Sequence, residues 1–190
     1  MTTPTSPRSL DLLSAGESLL VVVDMQERLL PHIANASVIR EQCVRLLRAA
    51  ELFDVPATLT EQYPGGLGSS DPELVAVAPA RERPEKLRFS GARALGWPPA
   101  AERDDARVQV VIAGIETHIC VLQTALDLLS AGYRIFIVAD AVGSQRPTDH
   151  EPALARLRDN GATITTTESV LFEWCEEAGT ERFRTLRRLL

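Results

Sequence analysis

Residues 108–144, VQVVIAGIETHICVLQTALDLLSAGYRIFIVADAVGS, constrain the fold more than any other stretch. Val108–Ile112 is a short β-branched run closed by Ala113-Gly114, the profile of a strand buried on both faces. From Cys120 onward Leu122, Ala125, Leu126 and Leu129 recur at helical spacing, and Gly132 supplies a C-terminal stop. Arg134–Asp140 is a second apolar run and ends on an acid. Such a strand–helix–strand unit dictates parallel strands joined by a right-handed crossover. It also sets Gly114–Cys120 at the carboxyl edge of a strand and the amino end of a helix, where open α/β sheets build their sites. A thiol in that first helical turn feels the positive end of the dipole, which is expected to favour the thiolate. Cys120 is therefore the first candidate nucleophile.

The rest of the chain reads as further units of the same kind. Residues 1–16, rich in Thr, Ser and Pro, are expected to form a loose arm ahead of a single domain over 17–190. Leu19–Val23 is a first strand that ends in Asp24, an acid on the same edge as Gly114–Cys120 if the strands are parallel. On its own Asp24 reads as a cap or turn residue more readily than as a catalytic group. Ser37 is a candidate cap for a helix running to Phe53, with Cys43 inside it as a small buried hydrophobe. Val55–Thr60 is a weaker second strand. The following EQYPGGLG, residues 61–68, reads equally as a loop over a pocket with Tyr63 lining it, or as a plain surface turn.

Ala78–Pro84 is a polar connector, and Pro84–Phe89 a short segment carrying Lys86 ahead of a short helix at Ala92–Leu95. Asp149 is a candidate cap for a helix over Pro152–Asp159. Ala162–Thr167 is a β-branched strand, Glu168–Trp174 an apolar segment for the core or a subunit interface, and Thr180–Leu190 an amphipathic helix. Six strands alternating with helices predict an α/β layered fold.

Composition removes several function classes. A net charge of −6 gives no support to binding nucleic acid or anionic membranes. No apolar run approaches the ~20 residues of a membrane span, and MTTPTSPRSL lacks the apolar centre of a secretory signal. Three cysteines, an odd number, fit a reduced cytoplasmic protein better than a disulfide framework. Cys175, beside Glu176 and Glu177, is expected to have a raised pKa and so to be no nucleophile. No second cysteine is placed to resolve Cys120, which disfavours a redox sensor. A dinucleotide site would want GxGxxG after the first strand, where the chain reads Asp24-Met25-Gln26-Glu27, so no cofactor is expected. Of twenty basic residues only Lys86 is a lysine. Read alone it is a solvated surface residue, yet its rarity marks a position where a guanidinium does not serve.

Three separated motifs, VVVDMQ (21–26), EKLRFS (85–90) and AGIETHICVLQTALDLLSAGYRIFIVADAVGS (113–144), resemble the isochorismatase-like cysteine hydrolases, whose members include nicotinamidases. The C-terminal TTTESVLFEW (165–174) is similar to the branch of uncharacterised isochorismatase-domain proteins, and the resemblance runs from about residue 17 to the end. It implies a three-layer α/β/α fold, a six-stranded parallel sheet in the order 3-2-1-4-5-6, and a triad of Asp24, Lys86 and Cys120. It further implies a cis peptide at Ile115–Glu116 and an oxyanion hole made by the amides of Glu116 and Cys120. Gln26, Tyr63 and Thr117 are the matching candidates for a substrate pocket. Homo-oligomerisation is implied as well, with 168–174 a candidate interface.

Two departures narrow that expectation. Metal-dependent nicotinamidases carry Asp-x-His after the second strand, where this chain reads Thr60-Glu61-Gln62-Tyr63. His32, His118 and His150 have no metal spacing, so no metal is expected. Isochorismate-cleaving members lack the nucleophilic cysteine, which is present here. His118, two residues from Cys120, is read as structural or as pocket rim because i and i+2 do not share a helix face. The resulting expectation is hydrolysis of an amide or carbamoyl C–N bond in a small molecule, through a thioester-type intermediate. A catalytically silent homologue acting as an oligomeric interaction module is the alternative.

Overall fold

Six strands form one sheet in which every pairing is parallel: β1 (Ser18–Val23), β2 (Ala57–Gln62), β3 (Glu85–Lys86), β4 (Gln109–Ile115), β5 (Arg134–Gly143) and β6 (Thr163–Thr165). Their order, β3-β2-β1-β4-β5-β6, is the expected one. The computed structural model describes residues 8–78 and 82–190. The parallel pairing suits the sequence, in which short, mostly apolar runs alternate with helices long enough for crossovers. β1 and β4 lie at the centre, register-paired from Ser18↔Gln109 to Val23↔Gly114, and every residue of both is buried.

Alternation along these strands feeds two helical layers. Leu20, Val22, Val111, Ala113, Phe136 and Val138 face α1 (Ala36–Leu52) and α7 (Thr167–Cys175). Leu19, Val21, Val110, Ile112, Ile135 and Ile137 face α5 (Leu122–Ser130) and α6 (Pro147–Asp159). Each fully buried Val, Leu or Ile stabilises by about 1.5–3 kcal/mol, so the central strands are the strongest stabilising part of the sheet. Short helices α2 (Pro64–Leu67), α3 (Pro72–Val77), α4 (Ala92–Leu95) and α8 (Glu181–Leu186) complete the described α-helices.

Several boundaries differ from the expected ones for local reasons. α1 starts one residue before Ser37, behind Asn35 in the left-handed region, which Asn tolerates better than most residues. β2 runs through Glu61 and Gln62, both buried, so the first two residues of the expected loop belong to the sheet. α6 begins at Pro147, whose fixed φ suits a first helical position, and Asp149 sits in its first turn instead of capping it. β6 is short because the Thr166 side chain accepts from the Ser169 amide and caps α7. α8 ends at Leu186, behind a Thr180 cap.

Of the arm expected over 1–16, residues 1–7 lie outside the described residues, and residues 8–16 are tied to the domain. Leu13 is fully buried, its amide donates to Glu173 Oε2 (2.6 Å), and Arg8 pairs with Glu176 (2.8 Å). Residues 79–81 of the expected connector also lie outside the described residues. The apolar segment 168–174 turns mostly inward: Val170, Leu171 and Trp174 are buried against the chain's own core, and Trp174 Nε1 donates to Ser18 Oγ (2.9 Å). Of its apolar residues only Phe172 is left exposed, edge-on to Phe183. Among the described residues no helix is long and apolar enough to cross a membrane.

Candidate active site

Parallel pairing brings the carboxyl ends of β1, β2, β3 and β4 to one edge, and the polar residues that close those strands meet there. Asp24 follows β1 with φ 49°, in the left-handed region, and is fully buried. Its Oδ1 accepts from Thr60 Oγ1 (2.7 Å) and its Oδ2 from Lys86 Nζ (2.7 Å). Lys86 closes the two-residue β3, register-paired with Gln62. Its ammonium also donates to Gln62 Oε1 (2.7 Å) and to the Phe89 carbonyl (2.9 Å). A buried ammonium with a carboxylate and two neutral acceptors has its hydrogen-bonding capacity filled. The solvated reading of Lys86 is thereby corrected, since its side chain is 2% exposed.

Cys120 reaches the same place from the other side. β4 ends at Ile115, the Ile115–Glu116 peptide is cis, and Thr117–Val121 forms a π-helical turn that leads into α5. Cys120 lies in this turn, ahead of the regular helix, with Sγ 4.0 Å from Gln62 Oε1, the outer reach of a thiol hydrogen bond. Its carbonyl accepts from Thr124 Oγ1 (2.6 Å), which in turn accepts from the Gly91 amide (2.7 Å). The Cys120 turn and the loop behind Lys86 are thus joined by one hydroxyl.

The electrostatics differ from the helix-dipole expectation. Burial pushes the Cys120 thiol up to about 12, the Asp24 charge adds to this, and Lys86 only partly opposes it. The resting group is therefore a thiol and not a thiolate. Burial also raises the Asp24 carboxyl above its ordinary value, against the pull of Lys86 and Thr60. Cys43, fully buried, is raised by desolvation too, in keeping with a structural role. Cys175 is raised by partial burial and by Glu176.

The other candidates are placed as follows. Gln26 is buried with its amide used on both sides: Oε1 accepts from the Gln62 amide (2.7 Å), and Nε2 donates to the carbonyls of Gln62 (3.0 Å) and Gly68 (2.6 Å). It clamps the end of β2 and is not a free pocket-lining group. Tyr63 is exposed, and its ring lies over Gly66, closer than a Cβ there would allow. Thr117 is buried and its hydroxyl pairs with His150 Nδ1 (3.0 Å). His118 pairs with Ser144 Oγ (2.9 Å). Glu116 turns its carboxylate to the Gln145 amide (2.8 Å). Among the described residues no three His, Cys, Asp or Glu side chains are grouped to hold a metal ion.

Gln62, Thr60 and Thr124 join the site without having been candidates from sequence. A signal for Gln62 does exist: Glu61-Gln62 is a polar close to a buried strand, as Asp24 is. A cavity of ≈ 270 Å³ adjoins Lys86, bounded by Leu87, Arg88, Ser90 and Arg93. A separate one of ≈ 350 Å³, between the starts of α1 and α6, has none of Asp24, Lys86 or Cys120 in its wall.

Comparison with known proteins bears on this arrangement. The family model described as the isochorismatase domain matches residues 18–169. Isochorismatase domain-containing protein 2A of Mus musculus is 37% identical over 186 residues, covering 96% of this chain and 86% of its own. Isochorismatase domain-containing protein 2 of Danio rerio is 38% identical over 178 residues, covering 94% and 89%. Among solved structures, one described as MAR1 ribonuclease from Caenorhabditis elegans superposes with a TM-score of 0.86 at 32% identity, over 94% of this chain and 92% of that one. The YcaC gene product of Escherichia coli, described as an octameric hydrolase of unknown specificity, has a TM-score of 0.84 at 22% identity, over 96% and 92%. That last likeness is one of fold.

Proposed function

The chain belongs to the isochorismatase-domain family, a hydrolase fold, and on that premise we propose that it is a metal-independent cysteine hydrolase cleaving an amide or carbamoyl C–N bond of a small molecule. The observation that carries this reading is the meeting of Asp24, Lys86 and the Cys120 side chain at one buried point from three separate strand ends.

Cys120 Sγ attacks the substrate carbonyl while Asp24 takes the thiol proton, so the S–H bond breaks as S–C and O–H bonds form. A resting thiol with a raised pKa makes this general-base step necessary, and a carboxylate above its ordinary range is the better base for it. Lys86 holds Asp24 in place and balances the negative charge that passes from carboxylate to sulfur and oxygen. A compact ammonium fits between carboxylate and amide oxygen where a planar guanidinium does not. The amides of Glu116 and Cys120 receive the developing oxyanion. Asp24 then returns the proton to the leaving amine, a thioester remains, and water activated by Asp24 hydrolyses it.

The Caenorhabditis elegans structure described as a ribonuclease does not move this reading, since a net charge of −6 gives no support to binding a phosphate backbone. Assembly into a homo-oligomer is part of the proposal. The exposed apolar residues closest to Lys86 in sequence, Leu87 and Phe89, are a better contact surface than 168–174.

The test is ammonia release from a panel of small amides and carbamoyl compounds, with wild type and Cys120→Ala compared under single-hit iodoacetamide labelling. Turnover of at least one compound, lost both in Cys120→Ala and on labelling Cys120, is the expected result. A Cys120 that stays unreactive in the folded protein, with no turnover, leaves the silent interaction module as the reading.

A further inference from the structure

Lys86 and Gln62 occupy paired positions on neighbouring parallel strands, which sets their side chains side by side at the sheet edge. The ammonium has three N–H groups, and three acceptors within 2.9 Å use them: Asp24 Oδ2, Gln62 Oε1 and the Phe89 carbonyl. The sulfur competes with these oxygens for the ammonium, and Lys86 lowers the thiol without outweighing burial and Asp24. Gln62 Oε1 lies 2.7 Å from Nζ and 4.0 Å from Sγ.

The orientation of this amide is fixed. Its Nε2 donates to the Leu87 carbonyl (2.9 Å), which leaves the oxygen for the ammonium, and the reverse orientation would set an NH₂ against a cation. The main chain is fixed too, because Gln26 grips both the N–H and the carbonyl of Gln62. The charged groups that face the thiol are Asp24, from the end of β1, and Lys86, from β3.

We propose that Gln62 is a positioning residue that keeps Cys120 protonated until substrate arrives: its amide oxygen competes with the sulfur for the Lys86 ammonium, and presents a lone pair that accepts S–H but repels a thiolate. The proposal rests on Cys120 being the nucleophile. Gln62 itself takes no proton; that goes to Asp24 as the S–C bond forms. The gain is a buried thiol that resists stray electrophiles and oxidation, since the thiolate is the reactive form.

The test uses the full-length protein and iodoacetamide, a small neutral electrophile. The second-order rate at Cys120 is read by peptide mass spectrometry at fixed pH between 8 and 9, for wild type, Gln62→Met and Gln62→Glu. Met removes the acceptor and frees a Lys86 N–H for the sulfur, so labelling is expected to rise about tenfold, one unit of thiol pKa. Glu keeps the shape and adds a negative charge that is ionised in this range, so labelling is expected to fall about tenfold. A residue that only supports the loop would move both variants the same way, by loosening access. Shifts of the same sign, or none beyond about twofold, overturn the proposal and leave the nucleophile standing. If Gln62→Met fails to fold, Gln62→Glu decides alone: slower labelling supports, equal or faster labelling overturns. Amide turnover undiminished in Cys120→Ala removes the underlying reading, and this one with it.

Discussion

The Lys86 ammonium lies 2.7 Å from Asp24 Oδ2, with the two side chains 2% and 0% exposed. Removing one partner of a buried ion pair strands the other, which costs about 3–5 kcal/mol, whereas removing both is often close to neutral. Lys86→Met is therefore expected to lower unfolding stability by that amount at pH 7. The loss has a pH signature. Asp24 already has its folded-state pKa raised by burial, and without Lys86 it rises further. A carboxyl with a raised folded pKa favours folding when protonated, and that stability is lost as pH rises through the folded value. The Lys86→Met deficit should shrink as pH falls from 7 towards 5, and Asp24→Asn in the same background should restore most of it. Urea unfolding at pH 5 and 7 measures both; a deficit independent of pH would mean that Asp24 is not the stranded charge.

Cys120 gives an alkaline counterpart. Its thiol stands at about 12 in the folded chain, against 9.0 for an unperturbed cysteine. Because the folded value is raised, its contribution is fully present below pH 9 and is lost as pH rises towards 12. Between pH 9 and 10.5 this amounts to about 2 kcal/mol. Cys120→Ser, which does not titrate there, should show a correspondingly smaller loss of stability over that interval by urea unfolding. Parallel pH profiles for the two proteins would refute the raised thiol.

Much of this is legible in the chain, and the rest is hidden for identifiable reasons. Strands β1, β4 and β5 announce themselves through the apolar runs at 19–23, 110–113 and 135–139, because a sheet covered on both faces leaves few positions for a polar residue. Asp24 and Cys120 follow from the rule that parallel sheets build their sites at carboxyl ends. Lys86 is visible only through the family motif: a two-residue edge strand has no periodicity to read. Gln62 hides because Glu61 and Gln62 look like turn residues. They are held in the sheet by long-range partners, Glu61 by Ser70 and Gln62 by Gln26, which no local pattern encodes. The Cys120 shift runs against the helix-dipole expectation because burial, which a local sequence window does not report, outweighs the dipole.

Gly114 is the point where the central strands approach too closely for a side chain. It has φ 106°, and a Cβ there would run into the Val23 carbonyl and sit 2.5 Å from the Val23 amide, both backbone atoms that cannot turn aside. The site lies one residue before Ile115 and beside Asp24, where β4 shifts register against β5. Gly114→Ala is expected to destabilise by about 3 kcal/mol or more, combining left-handed strain with a main-chain clash. Amide turnover should fall together with stability, because the substitution pries Asp24 away from the Cys120 turn. Thermal unfolding and turnover of the same preparation check this, and Gly96→Ala, with φ 64° and open space around it, isolates the cost of strain without the clash.

One hydroxyl, that of Thr124, joins the two halves of the site. Its Oγ1 accepts from the Gly91 amide (2.7 Å) and donates to the Cys120 carbonyl (2.6 Å), with Thr124 fully buried. Gly91 lies two residues after Phe89, whose carbonyl holds Lys86 Nζ, so the bridge fixes the ammonium and the sulfur relative to each other. Thr124→Val keeps the shape and removes both bonds, leaving the Gly91 N–H buried without an acceptor. That costs about 1–3 kcal/mol. Thr124→Ser keeps the hydroxyl and loses only a methyl group, about 1 kcal/mol. If the hydroxyl sets the geometry, Val should depress turnover at least tenfold while Ser stays near wild type, although both lose some stability. Urea midpoints and turnover measured side by side separate the two effects: equal turnover in Val and Ser would show that packing alone holds the Cys120 turn against the Lys86 loop.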